Sequence, residues 1–209
     1  MERLDDIDDL KVAVRSLIAA EPRFSAVVDH HGLPQLRHAA PGLPSLLRIV
    51  TDQLISLKAG ESIWARLTTQ LGSFLPEEIM AASHNDLRAL GLSAAKSRTF
   101  HAAAKAFAAG DLEENLQLSD AELYRRLTGI TGIGPWTASI YLLMTRRAVD
   151  AWPAADLALQ YAVKDLLALG ERPSPRRMVV LAEAWRPYRS AAALLLWQHY
   201  RYLRTIAPD

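Results

Sequence analysis

Cysteine is missing from all 209 residues, which removes disulfides and thiolate metal sites together and makes an intracellular location the expectation. Charge of one sign is equally scarce. Twenty-four Lys and Arg face 23 Asp and Glu, and a net charge of +1 is a poor match to a protein that holds nucleic acid by bulk electrostatics. Long hydrophobic runs are also lacking: the densest, Ala191 to Trp197, falls far short of the roughly 20 residues of a membrane span. There is no low-complexity tract, no internal repeat and no convincing strand pattern. The N-terminal stretch carries acid (Glu2, Asp5, Asp6, Asp8 and Asp9) where a signal or transit peptide would carry base. What remains is ordinary. Hydrophobic residues make up 50% and charged residues 22%, and the length allows a sizeable core in one domain or two close lobes.

Helical periodicity is present nearly everywhere. Leu46, Ile49, Val50, Leu54 and Leu57 form one apolar stripe, and Ile63, Trp64, Leu67 and Leu71 a second. The Ala-rich segment from Ala94 to Ala109 forms a third. Leu159, Val163, Leu166 and Leu167 mark a later helix, and Tyr188, Ala192, Leu195, His199 and Tyr202 the last. Pro and Gly punctuate between them, at Gly42 to Pro44, Pro76, Gly170 to Pro175 and Pro187. Arginines load the later part of the chain, including Arg125, Arg126, Arg146, Arg147, Arg186 and Arg189; solvated helix faces are the plain explanation for each. Asp29, His30 and His31 read as a solvated, turn-like cluster, not a metal site.

The stretch from Leu127 to Ala138 is more specific. Ser119 and Glu122 have capping-box spacing ahead of a helix continued by Leu123 and Leu127. Pro135 suits the first position of the next helix, continued by Trp136, Ile140, Leu143 and Met144. Thr131-Gly132-Ile133-Gly134 between them leaves room only for a hairpin, with Ile133 tucked between the helices. Both glycines allow positive φ and leave space for another backbone. The second helix starts there, so its N–H groups and positive dipole end favour an anion such as phosphate. A plain pair of antiparallel helices fits the same spacing. Asp156, at the start of the helix after that, is either a helix cap or a carboxylate acting on what the hairpin presents.

Leu127 to Ala138 resembles the helix-hairpin-helix of the base-excision DNA glycosylases, in particular the 3-methyladenine DNA glycosylase II branch. Ile49 to Ser56, containing Gln53-Leu54, is similar to that family's first motif. Leu90-Gly91-Leu92-Ser93 with Lys96, Trp152 to Leu159, and Trp185 to Ser190 with Trp197 are similar to further motifs, in family order from about Leu43 to Tyr200. The resemblance implies an all-α fold of two helical lobes with the helix-hairpin-helix at the interlobe cleft. Lobe one would span about 42–147, and lobe two about 1–41 plus 148–209. The absence of Cys sets the chain apart from the branches that carry a four-Cys iron–sulfur cluster.

The same resemblance implies a function. It is monofunctional base excision of alkylated purines, of the 3-methyladenine type, from duplex DNA containing a damaged base, by a monomer that needs no cofactor. Asp156 would be catalytic, stabilising the oxocarbenium-like sugar and orienting water. Trp136 stands where bifunctional relatives place a Schiff-base Lys, which implies no lyase activity. Trp136, Trp197, Tyr188 and Trp152 would line the base pocket, where a cationic purine stacks well on electron-rich rings. Gly132, Gly134, Thr137, Gln53 and Leu54 would contact DNA. Leu54 matches the side chain that fills the gap left by a flipped base, though its periodicity fits core packing equally. The carbonyls of Thr128, Ile130 and Gly132 match those that hold a monovalent cation, Na or K. Two positions depart from the pattern: Ile140, where relatives often have Tyr (Tyr141 is one place off), and Ala155, where an acid often precedes the Asp. A glycosylase for deaminated or mismatched bases and a non-catalytic helix-hairpin-helix DNA-binding module are the alternatives.

Overall fold

The computed structural model describes residues 3–110, 112 and 118–206. Glu2 of the acidic N-terminal stretch lies outside the described residues. Helices follow one another as α1 (Ile7–Ala20), α2 (Phe24–His31), α3 (Leu43–Asp52), α4 (Leu57–Leu71), α5 (Pro76–Ala81) and α6 (His84–Ala89). Then come α7 (Ala94–Ala108), α8 (Asp120–Thr128), α9 (Pro135–Thr145), α10 (Leu157–Leu166), α11 (Pro175–Leu181) and α12 (Arg189–Ile206), with a 3-10 turn at Ala182–Trp185. The described residues contain no strand, only an isolated bridge between Arg3 and Ala148.

Local chemistry sets most of the helix starts. Asp6, Ser56, Ser83, Ser93, Ser119, Asp156 and Ser174 each accept an N–H of the following first turn through a side-chain oxygen. Pro occupies the first turn of α3, α5 and α11 and opens α9. At α8 the Ser119 oxygen takes the Glu122 N–H as the spacing predicts, but the Glu122 carboxylate turns to Arg125 and Arg126 at 2.7–2.9 Å. Those two guanidiniums push its pKa down to about 2.

The chain divides into two compact units, residues 39–141 and residues 1–38 with 142–209. The second boundary falls inside α9, where the family resemblance implied one near residue 147. In the first unit, α3 and α5 pack on α7, α6 joins them, and α4 packs on α3. Leu46, Leu47, Val50, Leu67, Ile79, Leu87, Phe100 and Leu127 are buried there. The stripe expected to run to Leu57 stops early, because Gln53 leaves helical geometry (ψ 128°) and ends α3. Leu54 and Leu57 are therefore 98% and 79% exposed.

In the second unit, α12 is the element on which α10, α2 and α1 all pack. Its core holds Leu10, Leu17, Phe24, Leu159, Val163, Met178 and Leu195, centred on Trp185, which meets the edges of Phe24 and Trp152 at 5.3 and 5.4 Å between ring centroids.

Candidate functional site

The hairpin forms within residues 39–141. The Gly129 N–H donates back to the carbonyls of Arg125 and Arg126 and ends α8. The Ile130 N–H then reaches the Leu127 carbonyl at 3.1 Å, and the Ile133 N–H closes the turn on the Ile130 carbonyl at 3.0 Å. Ile130 and Ile133 are both buried, so the turn is pinned from inside by two apolar anchors, of which Ile133 is the expected one. Gly132 sits at φ +87°, and a Cβ there would collide with the Thr99 side chain of α7. Gly134 is different. Its φ is not in the positive range, a Cβ would meet nothing within 4 Å, and its carbonyl accepts the Ala138 N–H at the start of α9. The expectation that both glycines serve a positive φ is thus corrected to Gly132 alone, while Gly134 leaves open space in front of a helix start. No acid stands in the first turn of α9, so no carboxylate within that turn offsets its positive dipole end.

Two of the expected DNA contacts are bound to each other. The Gln53 Nε2 donates to the Thr137 hydroxyl at 2.6 Å, and Thr137 is buried. Their side chains therefore act as a brace between α9 and the end of α3. Beyond Gln53, Leu54 stands at φ +56° with its side chain in solvent, which removes the core-packing alternative. The sequence reading missed the support for this turn, in which Lys96 donates to the carbonyls of Thr51 and Gln53. Tyr141 is buried and its hydroxyl accepts the Gly42 N–H at 2.8 Å, a structural role.

Asp156 lies in the other unit. It is half-buried and caps α10, its Oδ1 accepting the Leu159 N–H at 3.0 Å. The same oxygen accepts the indole N–H of Trp197 at 3.2 Å, which the packing of α12 on α10 makes possible. The carboxylate thus takes both a local donor and one 41 residues away. Trp197, Tyr188 and Trp136 are all half-buried. Trp152 differs from them. It is buried against Trp185, and its N–H is committed to the Met178 carbonyl at 3.1 Å.

Most of the conspicuous arginines have acidic partners. Arg125 and Arg126 hold Glu122, Arg147 holds Asp5, Arg186 bridges Asp150 and Glu183, and Arg189 grips Asp150 with Nε at 2.7 Å and Nη2 at 2.9 Å. Asp29, His30 and His31 are not in a turn; they lie on α2, where His31 meets His199 of α12 at 3.4 Å between ring nitrogens, and His30 meets the Tyr202 hydroxyl. Burial, then the neighbouring His199 and His30, hold the His31 pKa below its ordinary 6.5. Among the described residues no group of three or more His, Asp or Glu is arranged to hold a metal.

Comparison with known proteins gives a consistent result. Residues 47–187 match the family described as HhH-GPD superfamily base excision DNA repair protein. The alkylbase DNA glycosidase-like protein mag2 of Schizosaccharomyces pombe is 29% identical over 91% of this chain and 93% of its own length. DNA-3-methyladenine glycosylase 1 of the same yeast is 35% identical over 73% of this chain and 70% of its own. Among solved structures, the S. pombe 3-methyladenine DNA glycosylase in complex with abasic DNA superposes with a TM-score of 0.81 at 29% identity, covering 89% of this chain and 95% of that one. A DNA-3-methyladenine glycosidase from Bacillus halodurans gives 0.78 at 25% identity, over 97% and 93% of the two chains.

Proposed function

The chain belongs to the HhH-GPD superfamily of base excision DNA repair proteins, and on that footing we propose that it is a monofunctional DNA glycosylase that removes alkylated purines, of the 3-methyladenine type, from duplex DNA. The observation that carries the reading is the carboxylate of Asp156 held by the Trp197 indole. A cap needs only the Leu159 N–H. A second donor from a distant helix fixes the direction in which the acid points, which a capping role does not require.

The chemistry follows from that acid. A base alkylated at N3 or N7 carries positive charge and departs with the electron pair of its bond to C1′. The sugar left behind is electron-poor, and the Asp156 carboxylate stabilises it. Water then adds at C1′ and gives up its proton, with Asp156 the acceptor, leaving free purine and an intact abasic site. Trp136 has no amine, so no Schiff base forms and the strand is not cut by β-elimination. Extruding the base costs a few kcal/mol. Stacking of the base on aromatic rings, for which half-buried Trp197 and Tyr188 are the candidates in the same unit as Asp156, offsets part of this, at about 1–3 kcal/mol per base. The start of α9 grips a phosphate of the duplex through main-chain N–H groups. The carbonyls of Thr128, Ile130 and Gly132 are neutral oxygen donors of the kind that suit Na or K, and such an ion would offset phosphate repulsion at the hairpin.

The test is release of free base from duplexes carrying methylated purines, deaminated bases or mismatches, read by chromatography and by strand scission before and after alkali. The expected result is free methylated purine, scission only after alkali, and no covalent adduct trapped by borohydride. Release confined to deaminated or mismatched bases would replace the substrate. Binding without any release would leave a DNA-binding module.

A further inference from the structure

Taking Leu54 as the side chain that enters the gap beside a flipped base, a role that rests on the function proposed above, we infer that Lys96 is the positioning residue that holds the turn presenting it. The geometry lies wholly within residues 39–141. Helix α3 ends at Asp52, and the last carbonyls of a helix have no partner within it. The half-buried Lys96 Nζ, rising from the first turn of α7, donates to the Thr51 carbonyl at 2.8 Å and to the Gln53 carbonyl at 2.7 Å. Thr51 is fully buried and fixed, its hydroxyl bonded to the Leu47 carbonyl. One ammonium therefore ties the carbonyl just before Leu54 to an anchored point of the helix, where the dipole also favours a cation.

The other side of Gln53 is held as well, by its amide on Thr137 of α9. Ser56 closes the segment by capping α4 at the Ala59 N–H. Between these fixed ends Leu54 is placed at φ +56°, a left-handed conformation that a leucine keeps only where its neighbours constrain it. The near-complete exposure of Leu54 shows that no contact of its own side chain supplies the constraint. Asp52 adds to the setting. Its Oδ2 pairs with Arg48 at 2.8 Å, and its Oδ1 is buried against Gly60 with no hydrogen-bond partner among the described residues, leaving negative charge near the ammonium. Helix α7 thus serves both presented turns, Lys96 under Leu54 and, three residues on, Thr99 under Gly132. A wedge fixed before DNA arrives loses less freedom on insertion, so the hold on its backbone should appear as affinity for the lesion.

The absence of Cys makes a direct measurement possible. A nitroxide on Leu54→Cys reports the turn alone, and one on Glu61→Cys, exposed on α4, serves as control. Lys96→Met should shorten the rotational correlation time of the Leu54 label, leave the Glu61 label unchanged, and be reversed by Lys96→Arg; Lys96→Gln, uncharged and one bond too short to hold both carbonyls, should loosen the label likewise and serves if Lys96→Met does not fold. In unlabelled protein Lys96→Met should weaken binding to a lesion duplex about tenfold, and should cost nothing further once Leu54→Ala is present. An unchanged Leu54 label, or losses that simply add, would overturn the inference. Loosening of the label with full lesion binding by Leu54→Ala would leave Lys96 as the holder of the turn and sink the wedge role instead.

Discussion

The capping of α10 by Asp156 and the catalytic role proposed for it are separated by one pair of substitutions. Asn keeps an oxygen in the same place, so it still caps α10 and still accepts the Trp197 N–H, and Asn is as good a cap as Asp. The negative charge is lost, and Oδ2 becomes an amide NH2. A carboxylate about 4 Å from a developing cation at an effective dielectric near 20 contributes about 4 kcal/mol, close to a thousandfold in rate. Asp156→Asn should therefore lower single-turnover excision by roughly 10²–10³-fold while its thermal stability stays within about 0.5 kcal/mol of wild type. Asp156→Ala should lose the rate and the stability together. The missing cap costs about 1 kcal/mol, and the stranded indole N–H up to about 1–3 kcal/mol more where it stays dry. At about 2–4 °C per kcal/mol for a chain of this size, melting should fall by several degrees. Quenched-flow release of 3-methyladenine together with thermal melts reads both. Wild-type excision by a folded Asp156→Asn protein would refute the catalytic role and leave a cap.

Four further outcomes follow from particular contacts. Leu54→Ala should leave the melting temperature within error, because the side chain packs on nothing, while lesion binding falls about tenfold; a large loss of stability would contradict the exposed geometry. Gly132→Ala must place a Cβ against Thr99 at positive φ and should cost about 1–3 kcal/mol, whereas Gly134→Ala should melt like wild type and lose DNA affinity by crowding the open space there. Because burial holds the His31 pKa below 6.5, the folded protein binds fewer protons than the unfolded chain. This contribution to stability is complete above pH 6.5 and is lost as pH falls below it. His31→Asn should flatten that decline in melts on either side of 6.5, although His38, depressed for the same reason, will retain its share. Finally, with net charge +1 and arginines 125, 126, 147, 186 and 189 in ion pairs, DNA affinity should fall only gently with salt, well short of the slope of about −10 shown by strongly basic binders; a steep slope would mean that those pairs open to phosphate.

The helices were legible wherever the signal is local. Ser119 with Leu123 and Leu127 located α8, Pro135 located α9, and Asp156 ahead of Leu159 located α10, because caps and i, i+4 neighbours act within one turn. The stripe from Leu46 to Leu57 failed for the complementary reason. No Gly or Pro breaks it, and the helix ends at Asp52 because groups far along the chain stop it. Lys96 takes the carbonyl of Gln53 from 43 residues away, and Thr137 takes its amide from 84. Periodicity sees neither, so it extended the helix across the turn that presents Leu54.

The tryptophans show where the same limit falls on the site. Trp152 and Trp197 are chemically identical and both lie in motifs similar to one family, yet their indole N–H groups have opposite fates. One is spent on the Met178 carbonyl inside the core, and the other is aimed at Asp156. Which ring is structural depends on what α11 and α12 bring against it, and no spacing around either residue encodes that. Asp156 was identifiable because cap and candidate acid are the same local group. The donor that orients it was not, since Trp197 reaches it only through the packing of α12 on α10. A carboxylate can therefore be nominated from sequence, whereas the direction in which it points is a property of the fold. For Asp156 that direction is what turns a helix cap into a candidate catalyst.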